Sequence, residues 1–445
     1  MKLHPVSVAA VFASLAAVVA PVACTTETII YQQPHDGGIG AASDGAAPTA
    51  EAEDADTTTA VDKEDAGMAE MDASIIHDAS HPTDARKDSA LPPGDSGAHP
   101  PIPLMGYAGG ALLTAVKIVT VTYDSDAAMR PRLETFGDTI TSTPWWSAVT
   151  EGYCVTAGNC IGPGSGGGHV HVAQAPAAKY TDDQLKVLIQ SMVTAGTLPA
   201  PTQQTLYSFY FPQNVTISLD GAVSCQQFGA YHNEVSVTPP GGAAITVAYA
   251  IMPRCGGEQD TTLSASHEFI EAATDAHPFS APGYTIADWG WGFLGGEVGD
   301  VCVDIAGQDD HYVESSFVVQ RSWSNVSAAG SHDPCVPAPS VAYFNAAPAK
   351  QEIALAVGTS VTIDVTGFSD GPMGAWSLSA KELGQFVGTP NVLEVSVDKA
   401  TLRAGETAKL TVKLVTAIQG GAAPFAIVSK AGTRTHIWPL VVIPQ

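Results

Sequence analysis

Basic residues are scarce in this 445-residue chain: 19 lysines and arginines stand against 45 aspartates and glutamates, for a formal net charge of −26. That balance argues against nucleic acid and anionic lipid as partners. The chain has no Cys-x-x-Cys pair, no Ser/His/Asp order and no phosphate-binding glycine loop after a strand. These absences argue against a cysteine-held zinc, a serine hydrolase and a nucleotide-binding enzyme. Beyond the first residues, no run reaches the about 20 apolar residues that cross a bilayer.

The first 23 residues have the pattern of an export signal. Residues 1–4 are weakly basic, and residues 8–20 form an unbroken small and apolar run that is shorter than a membrane span. Because Cys24 follows, residues 1–23 predict a lipoprotein-type signal peptide and a lipid anchor through Cys24. Secretion without a lipid is the alternative, since Pro21 is atypical of a lipobox. We therefore expect a bacterial cell-envelope protein, and the absence of aspartate after Cys24 favours the outer membrane.

Residues 24–101 are rich in alanine, aspartate, glutamate, threonine, serine and proline, and they contain almost no aromatic residues. Such a segment cannot bury enough apolar area to offset the entropy of ordering it, which is about 1–2 kcal/mol per residue. We expect a disordered acidic tether that is extended by self-repulsion. Much of the net charge lies here, so that charge says little about a substrate.

Six cysteines lie beyond Cys24, and an even number in an exported chain predicts a disulfide framework. Fifteen connectivities are possible for six cysteines. Proximity along the sequence favours three pairs: Cys154–Cys160, Cys225–Cys255 and Cys302–Cys335.

Helix and strand patterns are mixed between residues 102 and 338, which predicts an α+β domain. Residues 116–123 are rich in β-branched residues, as in a buried strand, and residues 206–211, 215–219 and 245–252 have similar patterns. Apolar spacing predicts helices at 129–142, at 181–195 after a Thr181 cap, and at 262–274 after Thr261 or Thr262. A loop-rich stretch is predicted from residue 275 to residue 335.

The last part of the chain, residues 339–445, has a different texture. It contains no cysteine, and its short alternating runs are separated by turn signals at regular intervals. This pattern predicts an all-β, immunoglobulin-like sandwich without a catalytic constellation.

The motif best suited to chemistry is His267-Glu268-x-x-Glu271. On a helix His267 and Glu271 lie on one face, one turn apart, while Glu268 projects about 100° away. This is the arrangement of H-E-x-x-H zinc hydrolases with a carboxylate in place of the second histidine, and zinc accepts either ligand type. Glu268 would then take a proton from the attacking water as general base. A structural polar pair of His267 and Glu271 is the simpler alternative.

A zinc site needs a third protein ligand. Glu297 and Asp300 lie on a loop that a Cys302–Cys335 disulfide would hold, and His277 follows His267 by ten residues, as in metzincin proteases. Thr274 replaces the glycine of that metzincin pattern, which disfavours His277. A tetrahedral site requires Glu297 or Asp300 within about 6 Å of the His267 ring and Glu271.

Other side chains have candidate roles with structural alternatives. His232, after Tyr231, could stabilise an oxyanion near a metal or be a buried structural histidine. His169 and His171 point to one face of a predicted strand and could bind metal or stay idle. Four tryptophans could line a groove for sugar or peptide or pack in the core: Trp145, Trp146, Trp289 and Trp291.

Several of these segments, in this order, resemble the exordium, or phosphate-induced, family of secreted proteins, especially its bacterial members. They are Pro144-Trp145-Trp146, Tyr231-His232, Ser264 to Asp275, Glu297-Val-Gly-Asp-Val-Cys302 and His332-Asp-Pro-Cys335. The resemblance covers about residues 115–337 and implies a zincin-like site of His267, Glu268, Glu271, Glu297 and Asp300. The family has chiefly cell-surface and growth-related roles, without an established substrate for this site. Members usually have proline where this chain has Ala276-His277, so His277 is not implied as a ligand.

Together these patterns predict a zincin-like, disulfide-bonded α+β domain at 102–338, followed by the β-sandwich at 339–445. The expected function is an envelope-anchored zinc hydrolase, a peptidase, with Glu268 and His232 catalytic. Its metal ligands would be His267, Glu271 and either Asp300 or Glu297, and its substrate a peptide or a cell-wall or surface glycan. The alternative is a non-catalytic binding or adhesion module that recognises glycan or protein.

Overall fold

The structure is a computed structural model that describes residues 98–350, 352–384, 391–418 and 421–445. The predicted signal peptide, the Cys24 anchor and almost all of the predicted acidic tether lie outside the described residues. Those three features therefore stay predictions. Within the described ranges, no helix combines the length and the apolar character needed to cross a membrane.

Helices and strands are mixed between residues 98 and 338, which confirms the predicted combination of both. The strands are β1 (Met105–Tyr107), β2 (Lys117–Tyr123), β3 (Cys154–Thr156), β4 (Asn159–Cys160), β5 (Ser165–Val172), β6 (Lys179–Thr181), β7 (Thr205–Phe211), β8 (Thr216–Leu219), β9 (Ala222–Val223), β10 (Tyr231–Val237), β11 (Ile245–Pro253), β12 (Tyr284–Ile286), β13 (His311–Glu314), β14 (Phe317–Gln320), β15 (Ser322–Trp323) and β16 (Cys335–Val336). The α-helices are α1 (Arg130–Thr139), α2 (Pro144–Thr150), α3 (Asp182–Thr194), α4 (Glu258–Thr274), α5 (Trp289–Gly292) and α6 (Asn325–Ala329).

A five-stranded sheet forms the frame of this region, in the order β10-β11-β7-β2-β5. Strands β11, β7, β2 and β5 run parallel, and β10 pairs antiparallel to β11 at one edge. Strand β7 is buried along its whole length, which explains why its sequence reads as a nearly continuous apolar run. The antiparallel edge strand β10 matters for function because it carries His232.

Helix α4 packs against β11, β10 and β14, and its residues from Thr261 to Thr274 are buried except Ser264. The prediction that it begins at Thr261 or Thr262 is wrong: it begins at Glu258, with Gly257 as N-cap. The Asp260 carboxylate at N3 accepts from the Gly257 N–H, which is the half of a capping box that reaches back to the N-cap residue. Helix α3, by contrast, has the predicted Thr181 cap, completed by Gln184 as a capping box.

The three predicted disulfides are confirmed, because each cysteine pair is at bonding distance: Cys154–Cys160, Cys225–Cys255 and Cys302–Cys335. The third pair has the largest consequence for the site. Cys302 ends the short 3-10 helix Asp300–Cys302, so this disulfide ties residues 297–302, which we call the acidic loop, to β16.

Removing the third disulfide in a Cys302→Ser/Cys335→Ser variant is expected to lower the free energy of unfolding by about 3–4 kcal/mol. The bridge spans 33 residues, and the loss follows from the loop entropy that it removes from the unfolded chain. Denaturant unfolding under non-reducing conditions measures this change. The matched control is Cys154→Ser/Cys160→Ser, whose six-residue span predicts only about 2 kcal/mol. Equal losses in both variants would contradict the loop-length argument.

From residue 344 onward the described residues form no α-helix, and their strands build two sheets. The strands are β17 (Phe344–Pro348), β18 (Glu352–Leu355), β19 (Ser360–Ser369), β20 (Trp376–Glu382), β21 (Leu393–Val397), β22 (Thr401–Leu402), β23 (Thr407–Leu414), β24 (Ala423–Ala431) and β25 (Arg434–Pro444). Their orders are β17-β19-β23-β21 and β18-β25-β24-β20-β22. Side chains of both sheets, such as Leu410 and Trp438, belong to one buried apolar cluster.

Three of the four tryptophans proposed as groove residues lie in the core. Trp145, Trp146 and Trp291 are at most 3% exposed, whereas Trp289 is 56% exposed. The Trp291 ring contacts Trp323 of β15 and Trp438 of β25, with centroids 4.8 and 6.0 Å apart. The core role is therefore correct for these three, and Trp291 links the two parts of the chain.

Candidate metal centre

Three structural elements bring six ionisable side chains together in the interior. Helix α4 supplies His267, Glu268 and Glu271, strand β10 supplies His232, and the loop before Cys302 supplies Glu297 and Asp300. None of the six is more than 9% exposed, and His232 is the most exposed of them. We call this set the acidic cluster.

One part of the acidic cluster is centred on His267. Its Nε2 atom lies 3.0 Å from Glu271 Oε2 and 3.5 Å from Asp300 Oδ1. One ligand atom from each of these three residues lies within 4.8 Å of the other two. Asp300 thus lies within the distance of about 6 Å from His267 and Glu271 that a tetrahedral site requires.

A second part of the acidic cluster is centred on His232. Its Nδ1 atom lies 3.5 Å from Glu268 Oε2 and 3.6 Å from Glu271 Oε2. His232, Glu268 and Glu271 also bring ligand atoms within 4.8 Å of one another, so the two groups share Glu271. On the other side of the ring, His232 Nε2 lies 3.5 Å from Glu297 Oε1. Glu297 therefore faces His232, not His267.

The neighbours of the His267 ring determine its tautomer. His267 Nδ1 lies 2.8 Å from Gln320 Oε1, and the Gln320 amide nitrogen donates to the Gly299 carbonyl at 2.7 Å. Because that second bond fixes which end of the amide faces the ring, Nδ1 must be the donor. A neutral His267 therefore points a bare Nε2 lone pair at the oxygens of Glu271 and Asp300.

The backbone of residues 299 and 300 anchors one oxygen of the Glu271 carboxylate. Its Oε1 accepts from the backbone N–H groups of Gly299 and Asp300, both at 3.1 Å. Its Oε2 remains on the side of the two histidines. The loop comes this close because residue 299 has no side chain: a Cβ there would lie 2.7 Å from both Glu271 Oε1 and His267 Nδ1.

The acidic cluster is rich in negative charge for a buried site. Burial by itself would lower the pKa of His232 and of His267, yet the surrounding carboxylates raise both pKa values well above the usual range. Burial raises the pKa of Glu268, and it raises the pKa of Asp300 to about 7. Burial opposes ionisation of Glu271 too, but the adjacent histidines lower its pKa to about 2.

The donor set fits a bound cation. Four carboxylates face two imidazoles, so with all four ionised the group is negative even when both rings are protonated. Within the described part of the chain, no hydrogen bond reaches His267 Nε2, Glu268 Oε2 or either carboxylate oxygen of Asp300. Buried polar atoms without hydrogen bonds are uncommon and call for an explanation such as an ion. Nitrogen and oxygen donors of this kind suit zinc.

The remaining histidine candidates lie outside the acidic cluster. His277 Nδ1 lies 3.3 Å from Glu234 Oε2, so the structure does not bring it to His267. His169 and His171 do point to one face of β5, as predicted, and there they contact carboxylates of α1. His169 Nε2 lies 3.0 Å from an Asp138 oxygen, and His171 Nε2 lies 2.6 Å from a Glu134 oxygen.

Sequence reasoning missed two residues that support the acidic cluster, Gln320 and Gly299, and a buried carboxylate at the end of α4, Asp275. Gln320 is separated from His267 by 53 residues, and no local pattern marks it. Asp275 follows α4 directly, and its Oδ1 accepts from the Gly283 N–H. A signal existed only for Gly299, since a glycine between two acidic candidates can indicate close backbone approach.

Asp275→Asn is expected to stabilise the metal-free protein by about 2–3 kcal/mol at pH 7–8 and to leave it unchanged near pH 4. Burial raises the pKa of Asp275 to about 6. At Asp275 the folded state then binds more protons than the unfolded state, so the contribution of this residue to stability is highest below about pH 4 and falls as the pH rises to about 6. Denaturant unfolding in chelator across this range measures the slope. The exposed Asp183→Asn is the control, and a slope in Asp275→Asn as steep as that of the wild-type protein would contradict the assignment.

No family model matches the chain, and no curated protein matches it. Among solved structures, a chimeric titin Z1Z2 carrying an exogenous decorin peptide is 13% identical with a TM-score of 0.16, over 24% of this chain and 97% of that one. Domain 1 of VCBP3 from Branchiostoma floridae is 8% identical with a TM-score of 0.18, over 24% and 98%. A β-glucosidase from Listeria innocua is 10% identical with a TM-score of 0.17, over 77% and 48%. Likenesses this weak carry no argument about fold or function.

Proposed function

We propose that the chain is a zinc-dependent hydrolase, a peptidase, with His267, Glu271 and Asp300 as zinc ligands. The observation that carries the proposal is the convergence of one ligand atom from each of these residues within 4.8 Å. Asp300 is preferred to Glu297 as third ligand because Asp300 faces His267 and Glu297 faces His232.

Zinc, when bound, would supply Lewis-acid chemistry that lowers the pKa of water toward about 7 and polarises a carbonyl group. The chain's own residues supply proton transfer and charge. Glu268 is the general base, and burial raises its pKa toward the range in which a carboxylate accepts and returns a proton. His232 is held by Glu297 and faces the same carboxylates, where a protonated ring offsets negative charge that develops on the substrate.

We propose further that residues 102–338 form an exordium-like, zincin-like domain and that residues 339–445 form an immunoglobulin-like sandwich. The mixed sheet with its antiparallel edge strand β10 beside α4, and the two C-terminal sheets around one core, support this proposal. In the same proposal the lipid on Cys24 holds the protein in a bacterial envelope. The substrate is a peptide or a cell-wall glycan.

The first test is metal content. The purified wild-type protein is expected to retain one equivalent of zinc at limiting zinc, and His267→Ala is expected to retain none, because it removes the only nitrogen ligand of this group. Elemental analysis after gel filtration measures the ratio. His277→Ala is the matched control, since His277 pairs with Glu234 outside the acidic cluster. Absence of zinc from the wild-type protein would contradict the proposal.

A second candidate function is a non-catalytic module that binds glycan or protein. The observation that favours it is exposure: the acidic cluster is buried, whereas the Trp289 and Phe279 side chains are 56% and 51% exposed. Exposed aromatic side chains of this kind suit sugar or peptide recognition. Binding to glycans that is lost in Trp289→Ala, without hydrolysis of any peptide, would favour this function over the hydrolase.

A further inference from the structure

We propose that the acidic cluster contains a second metal position, formed by His232, Glu268 and Glu271, which shares Glu271 with the first. This inference deepens the proposed function, because a cation in the second position occupies the carboxylate of the general base. Excess zinc would then inhibit the hydrolase that one equivalent of zinc activates.

The spacing of the ligand atoms supports this position. Zinc lies about 2.0–2.2 Å from nitrogen and oxygen ligands, so two ligands at tetrahedral angles lie about 3.3–3.6 Å apart. His232 Nδ1 lies 3.5 Å from Glu268 Oε2 and 3.6 Å from Glu271 Oε2. Both separations are longer than those of good N–H···O hydrogen bonds, which lie at 2.7–3.2 Å. The atoms are therefore spaced for an ion between them.

Glu297 gives His232 the environment of a metal ligand. Its Oε1 lies 3.5 Å from His232 Nε2, on the side of the ring opposite Glu268 and Glu271. Ligating histidines usually have a carboxylate, carbonyl or water on the nitrogen that does not bind the metal. His267 likewise has carboxylates on one ring nitrogen, Nε2, while its Nδ1 lies 2.8 Å from Gln320 Oε1. Both histidines thus have a polar side chain beside the nitrogen that faces away from the proposed ion, and that of His267 is within hydrogen-bond distance.

The shared residue makes the second position the weaker one. Glu271 Oε1 is used by two backbone N–H groups, so Oε2 serves both positions, 3.0 Å from His267 Nε2 and 3.6 Å from His232 Nδ1. One bridging oxygen places two cations only about 3.5–4 Å apart, as in two-metal sites. Their mutual repulsion lowers the affinity of the second ion. We therefore expect sequential filling.

Equilibrium dialysis against increasing zinc, with elemental analysis of the retained protein, tests the inference without any substrate. Wild-type protein is expected to bind one equivalent at low zinc and a second at higher zinc. His232→Ala is expected to keep the first and lose the second. Glu297→Gln, which leaves all ligands in place, is expected to weaken only the second by about 10–100-fold. Circular dichroism confirms folding, and His277→Ala is the control.

If the wild-type protein saturates at one equivalent of zinc and His267→Ala binds none, the second position is overturned and the proposed function stands. Two equivalents in His232→Ala overturn it as well, because the second ion would then lie elsewhere. If His267→Ala still binds one equivalent of zinc and His232→Ala binds none, the second position is supported and the proposed first position is overturned. Peptide hydrolysis that rises as the second equivalent binds would overturn the inhibitory role.

Discussion

The Glu268→Gln variant is expected to bind its first equivalent of zinc with unchanged affinity and to hydrolyse peptides about 10²–10⁴-fold more slowly than the wild-type protein. Glutamine has nearly the same shape as glutamate, but its amide cannot take a proton from the attacking water. Glu268 is not among the three ligands of the first position, so metal retention should not change. Cleavage of a peptide library, followed by mass spectrometry at one equivalent of zinc, measures the rate.

The matched control for this prediction is Glu258→Gln. Glu258 begins the same helix, about 15 Å from Glu268 along the axis, and there it pairs with Arg132. The control should keep full activity and one equivalent of zinc. Loss of zinc in Glu268→Gln would instead make Glu268 a ligand of the first position. Undiminished hydrolysis would show that another group is the base.

The sequence predicted local structure best where several local signals agreed or where burial gave one clear pattern. Helix α3 begins after Thr181 as expected, because a threonine cap, two acidic residues in the first turn and a one-sided apolar pattern all agree. Strand β7 was equally clear, since its residues are buried on both faces. The start of α4 was missed because Asp260 makes the cap contact from inside the helix, to the N–H of Gly257.

The metal candidates were predicted only in part, and chain distance explains which part. His267, Glu268 and Glu271 lie within about one helical turn, so a periodicity of 3.6 residues is enough to place them near one another. His232 reaches them only because β10 pairs antiparallel to β11 at the sheet edge beside α4. Strand pairing of that kind depends on the whole topology and leaves no local signal.

The acidic residues of the acidic loop were recognised as candidates from the sequence, but which histidine each carboxylate faces was not predicted. Asp300 faces His267, whereas Glu297, three residues earlier, faces His232. Residue spacing alone cannot distinguish the two, since both lie just before Cys302. The distinction comes from Glu271, which accepts the Gly299 and Asp300 N–H groups and so fixes how the loop enters the site.

The Gly299→Ala variant is expected to lower zinc affinity by about 100-fold and the free energy of unfolding by about 2–3 kcal/mol. The new Cβ would lie 2.7 Å from Glu271 Oε1 and from His267 Nδ1, closer than real Cβ contacts occur. Overpacking of this size costs about 1–3 kcal/mol. Displacing the groups that hydrogen-bond to metal ligands reduces metal affinity about 10–100-fold. Zinc titration with a competing chelator and denaturant unfolding measure the two effects.

The expected effect of Gly299→Ala is steric alone. Gly299 has a right-handed helical backbone, with φ −79° and ψ −47°, so alanine meets no conformational penalty there. The matched control is Gly292→Ala in α5, where the added Cβ would meet a single carbonyl oxygen at 3.7 Å, an ordinary contact. Normal zinc affinity in both variants would mean that the 299–300 backbone does not orient Glu271 for metal binding. Loss of zinc affinity in Gly299→Ala alone would show that metal binding needs the close approach of residue 299 to Glu271 and His267.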